Sequence, residues 1–368
     1  VSDATRISAA LIVKDEEAFL PDCLSSIAGH VDEIVVVDTG SVDKTAEIAT
    51  SFGAKVLHRV WRDDFAWARN EGLDAATGSW ILYIDADERL RVPHGANLRD
   101  NLDGDDVVAA RVLFRPTVHA TPFREYRLFR NDPRIRFRGS MHETMLPDIQ
   151  ALEQSIGARI VESPVEIVHL GYETGSEWKH ARNLPLLRAA IVRDPDRLYY
   201  WYHLAETLDA LGETDEAIAI GAQGLQRARV VSPKAGGSAI AAMIAATHAR
   251  LLHYKGREAL TTIAEGLRHY PRNPSLELLK ARVLIDVGRP AEAVPILESL
   301  AATDSASYQD IRLAHDSRIF DVYAHDLLGV ALLRLGRKAE AAKSFARAAA
   351  AAPDDPSYRI KALALGAR

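Results

Sequence analysis

Two acids one residue apart, Asp85-Ala86-Asp87, with Glu88 directly behind them, form the most chemically pointed feature of this chain. Carboxylates this close repel one another unless a cation joins them. Their hard oxygens suit Mg2+ or Mn2+, ions often shared with substrate phosphates. Read alone, the triplet is equally an acidic turn after a strand, so its neighbours decide its weight. Asp38 closes the run Val35-Val36-Val37-Asp38-Thr39-Gly40-Ser41, Lys14-Asp15-Glu16-Glu17 closes an earlier apolar run, and Arg69-Asn70 lies in the segment before the acids. Together these groups suit the base, ribose and phosphates of a nucleotide. No G-x-G-x-x-G follows the first apolar run and no G-x-x-x-x-G-K-[ST] occurs anywhere. Side chains and a metal must therefore do what glycine-rich loops do elsewhere.

The elements that must position these residues alternate. Ile7–Val13, Glu33–Val37, Lys55–Leu57 and Trp80–Ile84 read as strands rich in Val, Ile or Leu. Glu16–Ile27, Asp43–Phe52 and Phe65–Ala75 read as helices between them. Thr39-Gly40-Ser41 supplies a turn and an N-cap for the second helix. This order predicts an α/β fold with a mostly parallel sheet, whose ligands bind outside the carboxyl ends of the strands. Asp38 and the Asp85-Ala86-Asp87 acids fall at such ends.

From about residue 195 the character changes to long helical segments rich in Ala and Leu. Trp201, Leu204, Leu208, Gly212 and Ala217 recur in spacing as His325, Leu328, Leu332, Gly336 and Ala341, the last set continuing through Phe345, Ala348 and Pro353 with Gly329 as its small residue. That set matches the tetratricopeptide pattern. A weaker copy runs through Ala281, Leu284, Gly288, Ala293 and Leu297, and a partial one holds Ala259, Ile263 and Pro271. About four helix pairs are expected, the second least regular. The domains are read as 1–190 for the α/β part and 191–368 for an all-α helical repeat domain.

The 368 residues suffice for two domains with their own cores. A net charge of −6 gives no global signal for nucleic acid. Cys23 is the single cysteine, set among Leu20, Leu24 and Ile27 at helical spacing. It reads as a core residue, excludes an internal disulfide and fits a reducing, cytoplasmic location. No apolar run is long enough for an integral membrane segment. Between Arg111 and Arg138 stand eight arginines and only two acids, Glu125 and Asp132. This excess suits a phosphate-rich ligand or, alternatively, supplies partners for acids elsewhere in the fold.

Taken together, Ile12-Val13-Lys14-Asp15-Glu16, Val36-Val37-Asp38-Thr39-Gly40-Ser41, Asp64-Phe65-Ala66-Trp67-Ala68-Arg69-Asn70 and Trp80-Ile81-Leu82-Tyr83-Ile84-Asp85-Ala86-Asp87-Glu88 resemble, in order and spacing, a family 2 glycosyltransferase with a GT-A fold. One departure is Asp15, where relatives usually carry Asn. The resemblance implies a UDP-sugar donor and a Mn2+ or Mg2+ ion. Asp15 and Asp38 would contact the nucleotide, Asp38 at its base, and Arg69 would sit near base or diphosphate. Asp85 would approach ribose and metal, and Asp87 would ligate the metal. Glu143, in Gly139-Ser140-Met141-His142-Glu143, would be the catalytic base of an inverting transfer, with His142 as rival. His169, on a strand read as Val165–Leu170 before Gly171-Tyr172, would be the third metal ligand, preferred over His142. Trp178-Lys179 and Arg182-Asn183 also resemble a feature of repeat-bearing relatives and are read chiefly as packing groups.

The tail resembles that of bacterial enzymes including sublancin-type peptide glycosyltransferases. That likeness implies a peptide or protein acceptor, reached through a hydroxyl or thiol, with a glycan acceptor or a homodimer through the repeats as other uses. The competing reading is a catalytically inactive sugar-nucleotide-binding protein with a repeat scaffold; the intact Asp38, Asp85, Asp87 and Glu143 set argues against it.

Overall fold

The computed structural model describes residues 5–117, 119–170, 176–232, 238–310 and 312–366, with the side chains of 176–179 left aside. Gly171-Tyr172 and the Trp178-Lys179 side chains lie outside the described residues. The chain divides into two compact units, Val1–Val118 with Pro122–Thr174, and His119–Thr121 with Gly175–Arg368.

The first unit runs β1 (Ile7–Val13), α1 (Leu20–Ile27), β2 (Glu33–Asp38), α2 (Thr45–Ser51), β3 (Lys55–His58), α3 (Phe65–Ala75), β4 (Trp80–Tyr83), β5 (Glu88–Arg91), β6 (Val107–Arg115), β7 (Phe123–Arg130), α4 (Leu146–Ile156) and β8 (Arg159–His169). Its eight strands lie in the order β3-β2-β1-β4-β7-β6-β8-β5. The first four are parallel, as the alternation of elements requires, while β7 runs antiparallel to β4 and β6 and makes the sheet mixed. Leu11 of β1 shares one core with Leu20, Leu24 and Ile27 of α1, and Ala10 shares the other with Ala66 and Leu73 of α3 and Ile149 of α4. Both faces are thus covered, which is why β1 and β2 read as nearly continuous apolar runs.

The far half of this sheet must curl. Tyr83 and Glu88 are five residues apart, a reach of about 17 Å at most. Four strand spacings separate β4 from β5, roughly 19 Å if the sheet were flat. The connection is moreover a tight turn, closed by Glu88 N–H donating to the Asp85 carbonyl at 3.0 Å. The curl therefore pinches at Asp85-Ala86-Asp87.

The second unit holds α5 (Ser176–Arg193), α6 (Leu198–Ala210), α7 (Thr214–Val231), α8 (Ala239–Tyr254), α9 (Leu260–His269), α10 (Pro274–Asp286), α11 (Pro290–Ala301), α12 (Val322–Arg334), α13 (Lys338–Ala351) and α14 (Pro356–Ala364). α5 packs on α6 and so belongs here, although the residue 190 boundary read from sequence leaves most of it with the first domain. The pairs α6/α7, α8/α9, α10/α11 and α12/α13 pack face to face. Each turn within a pair carries a left-handed glycine: Gly212, Gly256, Gly288 and Gly336. Gly329 is small for a different reason, since a Cβ there would stand 2.6 Å from the Phe345 ring. No helix among the described residues is long and apolar enough to cross a membrane.

The repeats also bury imidazoles. His248, His269 and His325 are each less than one-tenth exposed. Neither ring nitrogen of His269 has a hydrogen-bond partner among the described residues. Burial pushes all three below the usual imidazole range, reinforced by Arg268 beside His269 and Arg347 beside His325. The unfolded chain thus binds more protons than the folded one as pH falls through about 6.5, and the repeats lose stability below that value. Urea titrations followed by helical circular dichroism at pH 8 and pH 5.5 should show the midpoint falling on acidification. His269→Phe should flatten that dependence.

Candidate functional site

Each carboxylate of the acid turn finds a protein cation. Asp85 Oδ1 accepts from Arg69 Nη2 at 2.9 Å, and Asp87 Oδ2 stands 3.0 Å from His169 Nε2. Glu88 turns inward and pairs with Arg127 through two bonds of 2.8 and 3.0 Å. The mutual repulsion read from sequence is therefore relieved inside the chain, by three different cations. Arg89 closes the turn, donating to the carbonyls of Ala86 and Glu88. Cys23 packs beneath it in the core, its thiol donating to the Asp85 carbonyl at 3.3 Å.

Register explains why Asp87 meets His169. β5 pairs antiparallel with β8 so that Glu88 faces His169, and Leu170 N–H donates to the Asp87 carbonyl at 2.9 Å. His169 Nδ1 stands 2.8 Å from the Pro116 carbonyl, to which it must donate, leaving Nε2 directed at Asp87. Opposing burial, the Asp87 carboxylate draws the imidazole up to about 9, so without another cation it is protonated and ion-paired. The same arrangement suits a divalent ion: a neutral imidazole fixed through Nδ1 would offer Nε2 beside a carboxylate oxygen, both about one-third exposed. Asp85 does not join this pair. Among the described residues no group of three or more His, Cys, Asp or Glu is arranged to hold a metal.

Arg69 links the acid turn to the loop carrying Glu143. Asp64 caps α3 by accepting from Trp67 N–H at 2.9 Å, which sets the helix start. Phe65 N–H then donates to the Ser140 carbonyl, and the Asn70 amide exchanges two bonds with the backbone of Phe137. These contacts hold the segment from Phe137 to Thr144 against α3. Arg69, nine-tenths buried, donates through Nε to Glu143 and through Nη2 to Asp85. Its guanidinium also lies 5.0 Å from the Tyr83 ring and 5.5 Å from that of Phe137. His142, beside Glu143, adopts a left-handed φ of +50°.

Asp38 and Asp15 shape the strand ends. Asp38 Oδ1 accepts from Gly40 N–H, Ser41 N–H and Ser41 Oγ at 3.2, 2.9 and 2.7 Å, and Oδ2 faces His58 Nδ1 at 3.2 Å. Burial would raise this carboxyl, but those donors outweigh it and hold it below the usual range. Ser41 is thus spent on Asp38 rather than on capping α2, whose N-cap is Lys44 without a side-chain bond. Asp15 sits at φ +54°, a left-handed conformation that Asn and Asp tolerate best, so either suits this position. Its Oδ1 accepts from Val42 N–H at 2.8 Å.

The eight arginines between Arg111 and Arg138 serve acids and carbonyls of the fold, within this segment and outside it. Arg111 and Arg124 pair with Glu162, Arg115 with Glu166, Arg127 with Glu88 and Glu125, Arg134 with Asp132, Arg136 with Asp74 and Arg138 with Asp148. Arg130 donates to the carbonyls of Val107 and Gly104. The phosphate reading of this segment is not needed. What sequence reasoning missed is the Glu88–Arg127 pair.

With this geometry in view, comparison with known proteins is informative. Residues 8–145 match the family model described as glycosyl transferase family 2, and residues 180–229 and 320–356 match that of a tetratricopeptide repeat. Residues 8–145 thus carry the sequence pattern of that glycosyl transferase family 2 model. A TPR repeat-containing protein of Synechococcus elongatus is 45% identical to the chain over 171 residues, 45% of this chain and 42% of that protein. The SPbeta prophage-derived glycosyltransferase SunS of Bacillus subtilis is 27% identical over 234 residues, 59% of this chain and 52% of SunS. The chain spans about half the length of these curated relatives. Among solved structures, glucosyl-3-phosphoglycerate synthase from Mycobacterium tuberculosis superposes with a TM-score of 0.39 at 18% identity, covering 52% of this chain and 80% of that one.

In the first unit the Glu88–Arg127 pair holds the curl, with side chains 2% and 6% exposed. Removing one partner strands a buried charge. Arg127→Met alone should destabilise by about 3–5 kcal/mol in urea denaturation, and adding Glu88→Gln should recover much of that loss. A single-variant cost below about 1 kcal/mol would show that the curl does not rest on this pair.

Proposed function

We propose that the chain is an inverting, metal-dependent glycosyltransferase that moves a sugar from a UDP-sugar to a hydroxyl or thiol acceptor on a peptide, protein or glycan. The observation that carries this reading is the single buried guanidinium of Arg69, joining Asp85 of the acid turn to Glu143. In a family 2 domain that link sets a donor-side carboxylate and an acceptor-side carboxylate at one centre.

Asp87 and His169 would hold a Mn2+ or Mg2+ ion. Bound there, the ion supplies positive charge to the departing diphosphate. Asp85, fixed by Arg69, would approach the ribose. Asp38 accepts from the nucleobase, and Asp15 borders the same pocket. Glu143 is the base: aligned by Arg69, it takes the acceptor proton as the acceptor atom attacks the anomeric carbon opposite the leaving group. The repeats recruit the acceptor or pair two copies of the chain, and the lone buried thiol of Cys23 suits the cytoplasm.

Calorimetric titration of UDP should show binding that Mn2+ strengthens and EDTA weakens. Asp87→Asn and His169→Ala should each cost at least about tenfold in the Mn2+-supported affinity. Glu143→Gln should keep that affinity within about twofold while lowering UDP-sugar turnover by about 100-fold or more. Metal-independent UDP binding unchanged by Asp87→Asn would remove the metal site, and near-normal turnover in Glu143→Gln would exclude it as base.

A further inference from the structure

Both oxygens of the Asp38 carboxylate are engaged before any ligand arrives, and His58 is the partner with a mostly exposed side chain. Three donors on Oδ1 come from Gly40 and Ser41, and belong to the turn that ends β2. Oδ2 has the His58 ring at 3.2 Å. The register of β2 and β3 places Asp38 opposite His58, at the ends of neighbouring parallel strands. The two differ sharply in freedom: the Asp38 side chain is 4% exposed, whereas that of His58 is 71% exposed. The His58 backbone is held, with its carbonyl accepting from Arg59 Nη1 at 3.0 Å and Arg59 N–H donating to the Asp38 carbonyl at 2.8 Å. The imidazole can therefore swing about its own side-chain bonds into water while the strand stays in place.

We propose that His58 is a gate on the nucleobase pocket, its ring leaving Asp38 Oδ2 when the imide N–H of a uracil-type base takes that oxygen. This rests on the UDP-sugar reading and adds the residue that controls entry to it. Oδ1 already accepts three donors, so a further N–H goes to Oδ2. With so little of the carboxylate open, the imidazole and an incoming base compete for the same approach. A buried carboxylate left without its donor is costly, so the imidazole protects Asp38 in the empty pocket and the base replaces it in the filled one. Cytosine has no N–H at the ring position where uracil carries its imide proton, and gains nothing from an open gate.

The experiment is a calorimetric titration of UDP and CDP, each with Mn2+, into the full chain and into His58→Ala and His58→Gln. Removing the competitor should tighten UDP binding by about three- to tenfold in His58→Ala, the worth of one ordinary hydrogen bond. His58→Gln, which keeps a side-chain donor, should stay near the parent chain, and CDP should gain nothing in either variant. Unchanged or weakened UDP binding in His58→Ala would overturn the gate, as would equal tightening of UDP and CDP. Absence of UDP binding by the parent chain would overturn the donor reading itself, a result distinct from any change confined to the His58 variants.

Discussion

A buried guanidinium has to be matched by carboxylates, and the α/β unit buries two beside one tyrosine. Arg69 lies 5.0 Å and Arg127 4.4 Å from the Tyr83 ring, at the end of β4. Arg127 claims Glu88 and Glu125; Arg69 claims Asp85 and Glu143. Between them these pairs decide which way each acid of the turn faces. Glu88 is drawn into the curl of the sheet, Asp85 is drawn towards α3, and Asp87 alone is left facing His169 at the rim. The separation of roles follows from two charges that cannot be left unpaired in a poorly solvated interior.

Much of this could be read from the sequence, because it is local. The seven residues of β1 and the eleven of α3 fall where apolar spacing sets them, and the acids follow β4 as a run of Trp, Ile, Leu and Tyr requires. Helix starts were less readable. α1 begins at Leu20 rather than Glu16, since Glu16 N–H donates to Thr45 Oγ1, Glu17 N–H donates to Asp43 Oδ2, and Glu17 Oε2 accepts from Lys44 N–H. Parallel strands invite such contacts across loops that are distant in sequence. The arginine-rich segment was ambiguous for the same reason: Glu162 and Glu166, the partners of Arg111, Arg115 and Arg124, lie on β8, and composition does not state strand order. His58 drew no notice because nothing about a lone histidine reveals that its register partner is Asp38.

The repeat unit obeys a different logic, in which the pattern repeats and so does its physics. The left-handed glycines turn each pair, and Gly329 lets Phe345 approach the backbone of α12. Charged groups then stitch successive pairs: Arg250 of α8 reaches Glu206 and Asp209 of α6, and His253 of α8 reaches Asp286 of α10. Pairs of this kind at a solvated surface add little stability each, and the buried aliphatic seams carry most of it.

The central claim is that Asp87 and His169 form the metal-binding rim of a donor site, while the neighbouring Asp85 and Glu88 are committed to buried arginines. Its most direct test is a crystal structure of the full chain soaked with Mn2+ and UDP, with data collected to locate manganese by its anomalous scattering. The account predicts a single strong peak within bonding distance of an Asp87 carboxylate oxygen and His169 Nε2, bridging to the diphosphate, with Arg127 still paired to Glu88. A UDP molecule bound without manganese at Asp87, or a manganese peak held by other residues, would contradict it.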